Sequence, residues 1–173
     1  MELKDAIQKR RSVRGFDSKR DVSEDELNKI LEAGRWAPSS GNSQCWNFYV
    51  VRDVGIKQQL ATKAGHQQFI ADAPLVIVVV ADLQKSESSF GERGRETYAL
   101  QDTAAAIENM LLTVTDLGLS SCWIGAFDEE RAREILDLPV HMRTVAMLPI
   151  GLGDQNATRP PSRKALSEIV TYI

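Results

Sequence analysis

Apolar residues recur along this chain with two different periods, and the changes of period lay out its elements. Leu3, Ala6 and Ile7 share helical spacing and predict a short helix over residues 2–10. Ser23 and Glu26 form an S-x-x-E capping box, across which Val22 can staple onto Leu27. Leu27, Ile30 and Leu31 then make the apolar stripe of a second helix, whose end is bracketed by Gly34 and Pro38. Residues 48–51 read as a strand. Residues 55–64 read as a helix with Lys57, Gln58, Gln59 and Lys63 facing outward. The run over residues 74–80 is continuously apolar and β-branched, the pattern of a strand buried on both faces. Such a strand needs helices over it, which predicts a layered α+β or α/β fold.

Residues 83–96 are polar and hold Ser86, Ser88, Ser89, Gly91 and Gly94, so they read as a short mobile loop. A long helix follows over residues 97–117, with Gly118 as its stop. Its apolar side chains cover more than one face, which predicts burial in a central layer or against another subunit. Residues 122–124 and 144–150 read as strands and 128–136 as a helix. Arg159-Pro160-Pro161 breaks regular structure before residues 165–173 close the chain. Neither an internal repeat nor a Pro/Ser linker divides it, so residues 1–173 read as one domain.

Composition narrows the class. A chain of 173 residues can bury roughly 70% of its unfolded surface around one core. A net charge of -3 argues against nucleic acid as the main partner. The longest apolar run, over residues 73–81, is far short of the ~20 residues of a membrane span, and the charged residues from Glu2 onward do not read as a secretory signal. Two cysteines, Cys45 and Cys122, make neither a disulfide framework nor a metal spacing, and His66 and His141 lack partners at ligand spacing. These features predict a cytoplasmic, metal-free protein.

Four segments could carry chemistry. In Arg10-Arg11-Ser12-Val13-Arg14, planar guanidinium forks bracket a short hydroxyl donor, a combination that suits a phosphate monoester. The same arginines could instead gather at a helix C-terminus, where the macrodipole favours cations. A second basic cluster lies at Arg159, Arg163 and Lys164. Residues 37–46 hold small hydroxyl and amide side chains between a helix and a strand, suited to a flat polar ligand, though turn chemistry alone also selects such residues. Gly125 would let a planar ligand approach backbone N–H groups closely, whereas Trp123 reads more readily as a core residue than as a cofactor contact. Gly151-Leu152-Gly153 lacks the third glycine and following helix of a dinucleotide fingerprint. No catalytic nucleophile–base pair can be picked.

In order along the chain, Arg10-Arg11-Ser12-Val13-Arg14-Gly15-Phe16, Ala37-Pro38-Ser39-Ser40-Gly41-Asn42-Ser43-Gln44-Cys45-Trp46, Ala73-Pro74, Gly118-Leu119, Cys122-Trp123-Ile124-Gly125 and the segment from Arg163 and Lys164 to Val170 resemble the nitroreductase family of flavin mononucleotide (FMN) oxidoreductases. The resemblance spans essentially the whole chain. It implies an α+β fold with a central, mostly antiparallel sheet flanked by helices, working as an intertwined homodimer with FMN at the subunit interface. By that resemblance, Arg10, Arg11, Ser12 and Arg14 hold the phosphate, ribityl chain and pyrimidine edge, and Arg163 with Lys164 completes the phosphate site. Pro38, Ser39, Ser40 and Asn42 reach the flavin of the partner subunit. Gln67 meets the ring edge, and Trp123, Ile124 and Gly125 pass the ring chiefly through backbone.

The activity so implied is ping-pong electron transfer from NAD(P)H, as co-substrate, to a small-molecule acceptor such as a nitroaromatic or quinone. The flavin supplies the redox chemistry, which accounts for the missing catalytic dyad. The sequence departs from the family pattern at Cys45, where proline is frequent, and at Ile124, where some members carry an acid. The short 83–96 stretch stands where larger members have a substrate lid. Two other readings stay open: a flavin-binding regulator or store with little turnover, and a specialised relative that dehalogenates aromatics or fragments flavin.

Overall fold

The computed structural model describes residues 1–17, 19–154 and 159–173. Among these, four strands form one antiparallel sheet in the order β1-β2-β4-β3. They are β1 (Trp46–Val51), β2 (Leu75–Asp82), β3 (Ser120–Ser121) and β4 (Met142–Gly151). β2 holds the centre. It pairs with β1 from Trp46↔Ala81 to Val51↔Val76, and with β4 from Leu75↔Ile150 to Asp82↔Met142, with a bulge between Val79 and Val80.

The β-branched run is buried on both faces, as its pattern requires, and the period of two sorts it cleanly. Leu75, Ile77 and Val79 face one core with Ala146, Leu148 and Ile150 of β4. That core is closed by Leu27 and Ile30 of α2 (Glu24–Arg35) and by Ile107, Met110, Leu111 and Val114 of α6 (Ala99–Asp116). Val76, Val78 and Val80 face a second core containing Leu60, Ala64, Ile70, Ala132 and Met147. Its helices are α3 (Val54–Gln59) with the π-helical turn Leu60–Gly65, α4 (Phe69–Asp72) and α7 (Glu129–Ile135). A helix–sheet–helix layering results.

The capping box forms as its residues predict. Ser23 Oγ accepts from the Glu26 N–H at 3.3 Å, and the Glu26 carboxylate accepts from the Ser23 N–H at 2.9 Å. Arg20 adds an ion pair to Glu26 at 2.7 Å, and that bond above all holds the carboxyl down at about 2, from 4.5. A carboxyl depressed on folding stabilises the native state above its unfolded value and loses that contribution as pH falls through the folded one. Between about pH 4.5 and about pH 2, stability from urea melts is therefore expected to fall more steeply in the wild type than in Glu26→Gln. Parallel slopes would remove Glu26 from the acid response.

Helix α6 ends as expected. Gly118 takes φ +72°, its N–H reaches Thr115 O at 3.1 Å, and the Leu119 N–H reaches Val114 O at 3.0 Å, the paired bonds of a Schellman stop.

Three expectations change. Residues 83–96 are not a loop. α5 (Leu83–Arg93) is capped by Asp82, kinks at Gly91 (φ +60°) and runs into the π-helical turn Gly94–Tyr98 ahead of α6. Tertiary contacts override the polar composition: buried Ser86 donates to Gly94 O at 2.9 Å, and Phe90 packs edge-on against Tyr98. Lys57 is buried rather than outward, and its ammonium donates to Ala73 O at 2.6 Å and Pro74 O at 3.2 Å, just past the end of α4. Burial pushes that amine's pKa down.

The strand expected over residues 122–124 is reduced to Ser120–Ser121 plus one bridge between Ile124 and Met147. One register, from Ser121↔Ile150 to Ile124↔Met147, sets Cys122 opposite Pro149. Pro149 lies two residues along from Met147 and so faces the same neighbour, but it has no N–H to give, and the ladder lapses there.

Candidate functional site

The basic motif begins where α1 (Leu3–Lys9) stops, with Arg10 as its C-cap. The chain then crosses the end of the sheet: Ser12 bridges Ser121 in parallel, the Val13 N–H donates to Ser121 O at 2.9 Å, and the Asp17 N–H donates to Leu152 O at 2.8 Å. A β-carbon at Gly153 would sit 2.5 Å from Gly15 O and 2.8 Å from Val13 Cγ1, so glycine is what lets these two segments close up.

This crossing brings most of the basic residues together. Arg10, Arg11, Ser12, Arg14, Arg159, Pro161 and Arg163 line a cavity of about 220 Å³. Lys164 is exposed beside it and outside that lining. The two readings of the arginines divide between residues. Arg11 donates to Gln8 O at 2.6 Å and Arg10 O at 2.8 Å, so it serves the carbonyls at the end of α1. Among the described residues no carboxylate pairs with Arg10, Arg14 or Arg163. Several uncompensated guanidinium groups around one cavity call for an anion. Their field reaches the sheet: burial raises the Cys122 thiol pKa, while the charges of Arg14 and Arg10 oppose that rise.

The same crossing sets Arg10–Arg14 beside the end of β3 and the segment after it. There Trp123 and Gly125 are exposed, whereas the Ile124 side chain is buried and its N–H is given to Met147 O at 3.0 Å. Of these three residues, Ile124 therefore has no backbone N–H left for a ligand. Gln67 is half-buried, with its amide donating to Gly65 O at 3.3 Å. It follows His66, a left-handed residue (φ +50°) that ends the π-helical turn. The neighbouring Ala64 O accepts from the Asp128 N–H at 3.0 Å, which ties this stretch to the one following Gly125.

The polar loop lies apart from the arginine lining. It folds as a tight turn over Ser40–Asn42, with left-handed Gly41 (φ +52°), Asn42 (φ +59°) and Gln44 (φ +49°). Pro38 and Asn42 are exposed. Several polar groups expected to face a ligand are turned inward: Ser39 Oγ accepts from the Gln44 N–H at 3.0 Å, and Ser40 Oγ donates to Asp102 at 3.0 Å. Asp102 escaped the sequence reading. The signal for it was one acid on the stripe shared by Ala99, Thr103 and Ala106 of α6, whose side chains are all buried.

A separate groove of about 860 Å³ runs between α2 and β1, lined by residues such as Asn28, Glu32, Arg35 and Trp46 and by none of the expected site residues. Among the described residues no cluster of three or more His, Cys, Asp or Glu could hold a metal, and no helix is long and apolar enough to cross a membrane.

The chain is similar over most of its length to proteins of one family. A model of the nitroreductase family matches residues 7–65 and 56–152. An NADH dehydrogenase of Thermus thermophilus is 31% identical over 199 aligned residues, covering 99% of this chain and 96% of that one. An oxygen-insensitive NADPH nitroreductase of Helicobacter pylori is 28% identical, covering 96% and 94%. Among solved structures, a nitroreductase family protein from Clostridium difficile superposes with a TM-score of 0.83 at 31% identity, covering 99% and 98%.

Proposed function

The chain belongs to the nitroreductase family, and from that premise we propose that it binds FMN and passes electrons from NAD(P)H to nitroaromatic, quinone or related acceptors by a ping-pong mechanism. It is an NAD(P)H-linked oxidoreductase, like the relatives named above.

The observation that carries the flavin reading is the cavity at the end of α1, lined by arginines that no described carboxylate neutralises. Its volume of about 220 Å³ is below the ~300–1,000 Å³ of whole small-molecule sites, so it suits the phosphate end of a nucleotide and leaves the ring to lie outside. In this proposal Arg10, Arg14 and Arg163 neutralise the phosphate and Ser12 adds a short donor. Arg11 and Lys164 stand at its margin. Trp123 and Gly125 face the ring over the support of Ile124, and Gln67 meets its edge. FMN, when bound, supplies the redox chemistry, and the protein binds it, orients it and shields it from water.

Pro38 and Asn42 complete the site from a second copy in a homodimer, on a loop whose Ser39 and Ser40 hydroxyls are turned inward. The dimer reading is supported by β1, an edge strand beside the α2 groove, and by Leu166, Ile169, Tyr172 and Ile173, apolar side chains left largely exposed near the end of the chain. A reducing cytosol suits the two buried free thiols.

Stopped-flow mixing of the flavin-loaded protein with NADH and with NADPH tests the reading. At least one donor is expected to bleach the flavin absorbance, and a nitroaromatic or quinone added afterwards to restore it. Absorbance that neither donor changes would overturn the oxidoreductase proposal.

A further inference from the structure

Asp102 is a buried carboxylate with an unusual set of partners. It is 4% exposed, on α6, and among the described residues it takes part in no ion pair. Its hydrogen bonds come from one short stretch of chain some sixty residues earlier. Oδ1 accepts from the Ser40 N–H and from Ser40 Oγ, both at 3.0 Å, and Oδ2 accepts from Ser43 Oγ at 3.2 Å, with Cys45 Sγ at 3.8 Å.

The dependence runs both ways. A carboxylate withdrawn from water needs donors, and these are the ones it has. The loop, for its part, holds two non-glycine residues, Asn42 and Gln44, in the left-handed region beside Gly41, and such residues persist there only where their surroundings over-determine them. From the other side the loop meets α5: a β-carbon on Gly41 would lie 2.7 Å from the Phe90 ring. The local field registers the clamp as well, since burial first and the charge of Asp102 second push the Cys45 thiol up to about 11.

We propose that Asp102 is a positioning residue for the cofactor site: it fixes the backbone of residues 39–44 in the shape that this loop presents to flavin. The proposal rests on the FMN reading above. Asp102 does not touch the ligand in this account. It acts through Ser40 and Ser43, and so sets where the exposed Pro38 and Asn42 stand.

The test uses the full-length wild type, Asp102→Asn, Ser43→Ala and the double variant, with two readouts. The first is the rate at which a thiol reagent labels Cys45 in flavin-free protein, mapped by mass spectrometry with buried Cys122 as internal control. The second is FMN affinity by fluorescence titration. Asp102→Asn keeps the side-chain shape but swaps one acceptor oxygen for a donor. It is expected to speed Cys45 labelling about tenfold or more, leave Cys122 slow and weaken FMN binding about tenfold or more. Ser43→Ala, a milder change at a position given no contact with flavin, is expected to weaken FMN about threefold. The double variant should be no worse than Asp102→Asn alone, because both changes cut one clamp.

Wild-type FMN affinity in folded Asp102→Asn overturns the proposal, whether or not Cys45 is released. If Asp102→Asn does not fold, Ser43→Ala decides: weaker FMN binding supports the clamp, and unchanged binding overturns it. Additive losses in the double variant also overturn it. A wild type that takes up no FMN sinks the flavin reading itself, an outcome distinct from a variant that binds as the wild type does.

Discussion

Replacing Arg10 with alanine is expected to weaken FMN binding by about 2–5 kcal/mol, roughly thirtyfold or more in Kd. The magnitude follows from what the side chain leaves behind. Arg10 lines a cavity with Arg14 and Arg163, and no described carboxylate competes for it, so its charge is available to an incoming phosphate. Removing it leaves part of a doubly charged group unneutralised where solvent is partly excluded. Arg11 supplies the contrast. Its guanidinium is already engaged by the carbonyls of Gln8 and Arg10, so Arg11→Ala is expected to change FMN affinity by less than about 1 kcal/mol and to act mainly on the end of α1. Fluorescence titration with free FMN at two salt concentrations measures both. Unchanged affinity in Arg10→Ala would take Arg10 out of the site, and equal losses in the two variants would mean that general charge, not a directed contact, holds the ligand.

That contrast also marks how far the sequence could be read. Features set by neighbouring residues were legible. The Ser23–Glu26 box is a local bonding pattern, Gly118 is a local backbone requirement, and the β-branched run of β2 carries its burial in its own composition. The order of the motifs was enough to name a family and the sheet architecture. What stayed hidden depends on partners distant in sequence. Residues 83–96 look like a loop because Ser86, Gly91 and Gly94 are turn formers locally, yet the Ser86–Gly94 bond and the Phe90–Tyr98 ring contact make the segment helical. Lys57 looked solvated because its carbonyl partners at Ala73 and Pro74 are reached only once α4 folds beside α3. Pro149 was visible, but its effect on Cys122 required the register between β3 and β4. Asp102 is the same lesson at the candidate site, a single acid whose meaning lies in Ser40 and Ser43. The arginine cavity was half legible: the residues could be picked out, but not the division of labour between Arg10 and Arg11.

Ile77→Ala is expected to destabilise the flavin-free protein by about 2–5 kcal/mol and lower Tm by roughly 4–20 °C. Ile77 is fully buried on the central strand, opposite Val50 of β1 and Leu148 of β4, on the face packed against α2 and α6. Truncation removes three carbons from the interior of a sheet paired on both sides. Neither neighbouring strand can shift inward without breaking its ladder, so much of the cavity should persist. Urea melts in which the midpoint falls and the slope is unchanged would place the loss in the native state. A loss below about 1 kcal/mol would mean that α6 settles onto the sheet and fills the space. The distinction bears on the site, because the same helix carries Asp102. If α6 stays in place, the Ser40 and Ser43 bonds are untouched, and Ile77→Ala should bind FMN with wild-type affinity once folded. If α6 moves to fill the cavity, Asp102 moves with it, and a small stability loss should come with weaker FMN binding.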